Sequence, residues 1–377
     1  MTSVPPSSRL TYIDWMRGVA CLLMFQIHGY DAWLSPDART TAFFAWARVF
    51  GGFAAPAFLF LAGVSVAFVT DKLQSRGHRP SEIAAITIRR GAVILGLGLL
   101  LRLQGFVFSL GGAPWEDVFR VDILNIIGLS MILMGLMCGV VPAQPLMKTG
   151  RPESFRVRLA VVSAAIGMAL SMLAPPLWTT WRPRWLPWPI ESYINGVHNL
   201  NQPQSWLFPI FPWGAFAFAG MAAGLIFTLD AAKRRQARTI LLAAAAGGAI
   251  VLVARYLDAN GPAIYSVYDF WRTSPNYFLI RLGILLMFLP AAYWWCRWIV
   301  GSRQSSPLVL LGRHSMLVYW VHLIFVYGAL PIVPRGTATV AHASYGVIAV
   351  SIGMYVLALA WSRWETVRGH RTVGAGL

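Results

Sequence analysis

Residues 9–33 read RLTYIDWMRGVACLLMFQIHGYDAW. Most of this stretch is apolar. At 1.5 Å per residue it is long enough to cross a bilayer core as one helix. Yet it carries Asp14, Arg17, His28 and Asp31. Ionisable groups at membrane depth are costly, so they mark a buried pair or a function. At 100° per residue, Asp14, Arg17, Cys21 and His28 fall within a sector of about 60°. One helix face therefore holds a carboxylate, a guanidinium and an imidazole. Asp14 and His28 lie about 21 Å apart along the axis, most of a membrane core. Asp14 and Arg17 sit near one mouth, and His28 lies deep toward the other. For the first two, an ion pair that caps the span is as good a reading as a ligand site. For His28 chemistry is favoured, because histidine is the commonest general base near neutral pH. Asp31, three residues on, either orients that ring or faces the outer loop.

The rest of the chain extends this reading. Of 377 residues, 57% are hydrophobic and 12% charged, against roughly a quarter charged in soluble proteins. That excludes a disordered chain and a soluble globular enzyme, whose surface so few charges could not cover. Long unbroken apolar runs without ten-residue alternation exclude a lipid-facing barrel. The runs fall at 12–34, 49–70, 91–110, 122–141, 158–177, 207–229, 239–257, 277–299, 308–330 and 345–362. The expected fold is all-α: one polytopic integral membrane domain, 1–377, of about ten spans.

A net charge of +17 could suggest nucleic acid. The basic residues, however, sit in the short links 71–90, 142–157 and 230–238 and in the tail after Trp361. The alternate links hold Asp37, Glu116, Asp117, Glu191, Asp258 and Asp269. This is the positive-inside pattern, which puts both termini in the cytoplasm. The stretch before the first span is short and shows no clear cleavage site, which suits a bacterial cytoplasmic membrane. Cys21, Cys138 and Cys296 fall inside apolar runs and read as core residues. No phosphate-binding loop, dinucleotide fingerprint or zinc-protease motif is present.

A second polar stripe occurs in LLGRHSMLVYWVHLIFVYG, residues 310–328. Ser315, Tyr319 and His322 share one helix face, with Arg313 and His314 at its cytoplasmic side. A hydrogen-bonded contact between helices explains the stripe as well as a site does. His314 and His322 point to different faces, so no metal is expected there. Arg102, Asp122, Asn125, Arg255 and Arg281 are further charges or amides at membrane depth. Singly they could snorkel to the interface; together with His28 they suggest a polar pocket that opens outward. The outer link 178–206, rich in Trp, Pro and Asn, is either an aromatic belt or a lid over that pocket, with His198 facing the acceptor.

The run R-L-T-Y-I-D-W-M-R-G-V-A from Arg9 to Ala20, with His28 after it, resembles the opening of the transmembrane acyltransferase superfamily. Three further stretches agree in order: FAAPAFLFLAGVSVAF at 53–68, FPIFPWGAFAFAGMAAG at 208–224 and LLGRHSMLVYWVH at 310–322. The chain is most similar to the heparan-α-glucosaminide N-acetyltransferase catalytic-domain family and to the type 3 acyltransferases. The resemblance implies transfer of an acyl group, usually acetyl, from cytoplasmic acyl-CoA to a hydroxyl or amine across the membrane, often of a sugar or glycan. Asp14, Arg17 and Gly18 match the family's D-x-x-R-G. His28 matches the first-span histidine of the type 3 enzymes. Gly312, Arg313, Ser315, Tyr319 and His322 match the C-terminal run. One departure stands out: the lysosomal branch has Asn at the His28 position and a His about eleven residues later, where this chain has Arg39.

The expected site divides accordingly. His28 and Asp31 stand at the reacting atoms. Asp14, Arg17, Arg313, Ser315 and Tyr319 hold acyl-CoA, since arginine suits bidentate phosphate binding. Arg102, Asp122, His198, Arg281 and His322 surround the acceptor. The expected partners are the bilayer, acyl-CoA and an extracytoplasmic glycan, with no metal and no nucleic acid. Small residues near Gly96 and Gly98 would serve a homodimer or internal packing alike. A transporter with no covalent chemistry is the rival reading.

Overall fold

The computed structural model describes residues 11–109, 112–141, 153–181, 183–195, 208–265, 268–300, 306–328 and 332–374. These residues form α-helices almost throughout. In chain order they are α1 (Thr11–Trp33), α2 (Ala42–Gly51), α3 (Ala54–Ser75), α4 (Pro80–Phe108) and α5 (Ile123–Val140). Next come α6 (Glu153–Met172), α7 (Ala174–Thr179), α8 (Trp188–Ile194), α9 (Ile210–Phe227) and α10 (Asp230–Arg234). The last are α11 (Gln236–Asn260), α12 (Pro275–Trp295), α13 (Pro307–Arg313), α14 (Ser315–Val326) and α15 (Val340–Gly374).

Among the described residues, eight helical stretches are long and apolar enough to cross a membrane, and a bent pair makes a possible ninth. The eight cover every expected span except the first and ninth. The first is α1, continuous over 23 residues. The ninth differs from expectation. Instead of one helix over 308–330, α13 and α14 meet at an angle of 89°. Glycines lie at the contact that precedes the break. A Cβ on Gly312 would lie 1.8 Å from the Asp14 carbonyl oxygen, and one on Gly18 would lie 1.9 Å from that of Leu308. The backbones of α1 and α13 therefore cross in direct contact, as small residues allow in membranes. After the bend at His314, α14 also packs against α1.

The chain divides into two units: Met1–Ala57 with Ala291–Leu377, and Phe58–Pro290. In the first, α1 is packed by α2, α13, α14 and α15. Its C-terminal end is tied to the segment before α15 by a parallel bridge, Leu34 to Ala338. Ser35 N–H donates to the Ala338 carbonyl (3.0 Å), and Ala338 N–H donates to that of Trp33 (2.8 Å). Gly336 makes the turn with φ 68°, which a side chain disfavours.

In the second unit, α3 crosses α9 at Gly63 and Gly220, and α4 crosses α5 at Gly91 and Gly128, again with backbones touching. Asp122 and Asn125 form the N-terminal cap of α5: Ile123 N–H donates to Asp122, and Asp122 N–H donates to the Asn125 amide oxygen. Such caps satisfy main-chain donors that a helix start leaves over. At the other end of this unit, buried Arg156 of α6 bonds both Asp71 of α3 and the Thr228 carbonyl after α9 (2.6 Å). Asp230 lies 3.6 Å from the same guanidinium.

Candidate active site

The first unit brings two expected residues together that are 294 positions apart. His28 Nδ1 lies 2.9 Å from His322 Nε2. His322 Nδ1 lies 3.0 Å from the Val318 carbonyl oxygen. The two rings are nearly parallel, at 11°. His322 has no exposed surface. Phe25 and Tyr319 pack against it, with ring centroids at 5.1 and 5.6 Å. Tyr327 stands edge-on to His28 at 5.5 Å.

With both rings neutral, the hydrogen-bond partners assign the protons. A carbonyl only accepts, so His322 Nδ1 carries a hydrogen and donates to Val318. Neutral His322 then presents a lone pair at Nε2. His28 must therefore donate from Nδ1, and its own lone pair is at Nε2. In the neutral pair this chain of two hydrogen bonds places the His28 lone pair at Nε2. The arrangement follows the logic by which a second group sets the tautomer of a working histidine. Should His28 take a proton, the Nδ1–H bond to His322 becomes charge-assisted and stronger.

Toward the other end of α1, Asp14 is 2% exposed. Arg17 Nη1 lies 3.3 Å from its Oδ1, and Arg313 Nε lies 3.6 Å from its Oδ2. The two arginine side chains are 22% and 23% exposed. One carboxylate therefore positions two guanidiniums and leaves an excess positive charge at a partly open site. The Gly18–Gly312 crossing is what brings Arg313 there. Cys21 lies between, its Sγ 3.9 Å from the Leu311 carbonyl oxygen. Asp14, Cys21 and His28 thus all face α13 and α14, as their helical spacing required.

Other expected site residues take different places. The nitrogen that an orienting group would hold, His28 Nδ1, is held by His322. That neighbour, His322, is a residue expected to bind the acceptor, and Asp31 is exposed near the C-terminal end of α1. Ser315 opens α14, and buried Tyr319 lies one turn before His322. Arg102 and Asp122 pair with each other in the second unit, and Asp122 also caps α5, so both have structural work to do. Asn125 donates to the Tyr193 hydroxyl at 3.0 Å. Arg281 lies between aromatic rings in the second unit, and Arg255 is exposed. His198, with residues 182 and 196–206 of the expected lid, lies outside the described residues. The part of that link on view includes α8, whose Glu191 is fully buried.

Sequence reasoning missed two parts of the imidazole pair's setting. The Val318 carbonyl has no side-chain signal. Nothing in the sequence pattern sets Tyr327 apart from the other aromatics of its span.

The molecule is thus a polytopic helical membrane protein with a histidine pair between α1 and α14 and a two-arginine cluster between α1 and α13. The sequence model for the catalytic domain of heparan-α-glucosaminide N-acetyltransferase matches residues 9–258. The chain belongs to that family, which makes it a membrane-embedded acetyltransferase. No curated protein matches it. The matched region holds Asp14, Arg17 and His28, while Arg313, Tyr319 and His322 lie beyond its end.

Proposed function

We propose that this protein moves an acetyl group from acetyl-CoA at the cytoplasmic face to a hydroxyl or amine on the far side, with His28 as the general base. The observation that carries this reading is the Val318–His322–His28 hydrogen-bond chain, which leaves the lone pair on His28 Nε2. That nitrogen takes the acceptor's proton as the acceptor oxygen or nitrogen bonds to the acyl carbon. It then returns the proton to the sulfur as the C–S bond breaks. His322 is a positioning residue in this scheme.

Arg17 and Arg313 fit the donor's phosphates. They are already gathered by Asp14, are partly open to solvent and retain net positive charge; planar guanidinium forks suit phosphate. The donor's long pantetheine arm matches the need to link a mouth and a base about 21 Å apart along α1. Basic links on the cytoplasmic face would draw the anionic donor in. The acceptor is a sugar or glycan in this reading, and the membrane is the bacterial cytoplasmic one.

The test uses sealed membrane vesicles of known orientation. Labelled acetyl-CoA is supplied on the cytoplasmic face, and label is followed into material on the other face. Wild type is expected to transfer label covalently, and His28→Ala, at equal protein level, to lose nearly all of it. Turnover in His28→Ala at the wild-type rate would overturn the assignment. An acceptor that crosses unmodified would identify a carrier instead. A protein band labelled in the absence of acceptor would show that His28 carries the acyl group rather than only the proton.

A further inference from the structure

Arginines inside this molecule keep company with carboxylates. Arg17 and Arg313 share Asp14, Arg102 has Asp122, and Arg156 has Asp71 and Asp230. Arg281 breaks the pattern. It lies on α12, six residues from the helix start and thus about 9 Å along the axis. Among the described residues no carboxylate lies within ion-pair distance, and its hydrogen-bond partner is the Tyr277 hydroxyl, at 2.7 Å. The guanidinium stacks 4.0 Å from the Tyr277 ring centroid and 5.8 Å from that of Trp213 on α9. Phe208 packs edge-on against Trp213 at 4.8 Å. Phe216 of α9 meets Phe278 of α12 at the same distance. The N-terminal ends of α9 and α12 therefore lie side by side at one membrane interface, the outer one in the topology expected above. Tyr and Trp belong at that depth.

The face of α12 below the guanidinium is apolar and open. Tyr277, Arg281, Ile284 and Phe288 fall within about 60° of one another around the helix. Ile284 and Phe288 are 39% and 36% exposed. A cation in an aromatic cradle thus stands at the head of an exposed apolar stripe.

We infer that Arg281, with Tyr277 and Trp213, binds the phosphate headgroup of an anionic membrane lipid whose acyl chain lies along Ile284 and Phe288. Charge favours this occupant: a phosphate supplies the negative partner that the described residues do not provide, and a guanidinium can grip it through two N–H groups. Depth favours it as well, because headgroup phosphates lie where the aromatic residues do. A water-soluble anion would use the guanidinium and leave the stripe below it without a role. Paired basic and apolar surfaces between membrane helices are a recurring way to hold lipid. This site is independent of the acyl-transfer assignment.

The probe is phosphatidylglycerol, with phosphatidylcholine as the uncharged control. Purified full-length protein is delipidated in mild detergent, titrated with each lipid, and followed by native mass spectrometry and thermal unfolding. Phosphatidylglycerol is expected to remain bound and to raise the melting temperature of the wild type, and phosphatidylcholine to do neither. Arg281→Gln should weaken retention about tenfold. Tyr277→Phe removes only the hydroxyl that holds the guanidinium. It should fold normally, weaken retention by a smaller factor, and keep the inference testable if Arg281→Gln is unstable. Equal retention of both lipids by the wild type, or unchanged phosphatidylglycerol retention in both variants, would overturn the inference. So would stabilisation by inorganic phosphate alone to the same extent, since that would make the site one for a free anion.

Discussion

At the scale of single residues, the pair His28–His322 makes a claim that substitution can separate into parts. His322→Ala removes the acceptor for His28 Nδ1–H, frees the imidazole to turn and lets its other tautomer form. The expected loss in kcat is about 10²- to 10⁴-fold, the usual share of a positioned base. His322→Gln can place a side-chain oxygen near the vacated Nε2 and should restore part of the rate, with KM for acetyl-CoA unchanged in both variants. A change in the acid limb of the pH–rate profile in the same variants is the readout that a merely structural role would not give. Equal rates for the Ala and Gln variants would refute the tautomer argument.

The placement of Asp14, Cys21 and His28 on one face was legible, because a helix of known pitch turns spacing into direction. The partner of His28 was not legible. His322 is 294 residues away, and no local pattern announces which helix will supply it. Asp31 looked like the partner because nearness in sequence was the only nearness on view.

At the scale of elements, the crossing of α1 with α13 governs the geometry of the lower site. Gly312→Ala would put a methyl 1.8 Å from a main-chain oxygen of α1, and neither backbone can yield without moving Arg313. Overpacking of this kind costs about 1–3 kcal/mol and more where backbone is the obstacle. The melting temperature in detergent should fall clearly, and KM for acetyl-CoA should rise with it. Gly353→Ala, on α15 of the same unit, meets nothing within 4 Å. It should leave stability unchanged or improve it by about 1 kcal/mol or less. Equal stability of the two variants would refute the close crossing.

Helix existence was legible here, since apolar runs of about 20 residues have few other solutions in lipid. The 89° bend between α13 and α14 was not. Residues 307–326 are apolar on both sides of it and contain no internal proline. Close beside it Gly312 meets the backbone of α1, a tertiary contact that no local pattern announces.

At the scale of the whole molecule, each unit has its own fastening. In the second unit Arg156 gathers the ends of α3, α6 and α9. It is 6% exposed, and its loss would strand Asp71 in a poorly solvated place. Arg156→Gln should destabilise by about 3 kcal/mol, as expected when one member of a buried ion pair is removed. Lys233, which reaches Asp71 at 2.7 Å from a half-exposed position, should matter far less. Lys233→Gln is expected to stay within about 1 kcal/mol of wild type. Thermal unfolding of both variants decides the matter, and similar losses in the two would contradict the ranking. The polytopic fold was legible from composition and charge asymmetry, because those are properties of the whole chain. Its division into two units was not, since the first unit joins the two ends of the sequence.

That joining has a consequence for how the protein is made. A ribosome that adds about 5–20 residues per second needs on the order of 15–60 s to travel from His28 to His322. Through that interval α1 has already left the ribosome, with Asp14 and Arg17 on the same helix but Arg313 not yet synthesised. Pairing with Arg17 on the same helix lowers the cost of holding Asp14 at membrane depth over that interval. A chain that stopped after residue 258 would carry the whole family match, and half of an active site.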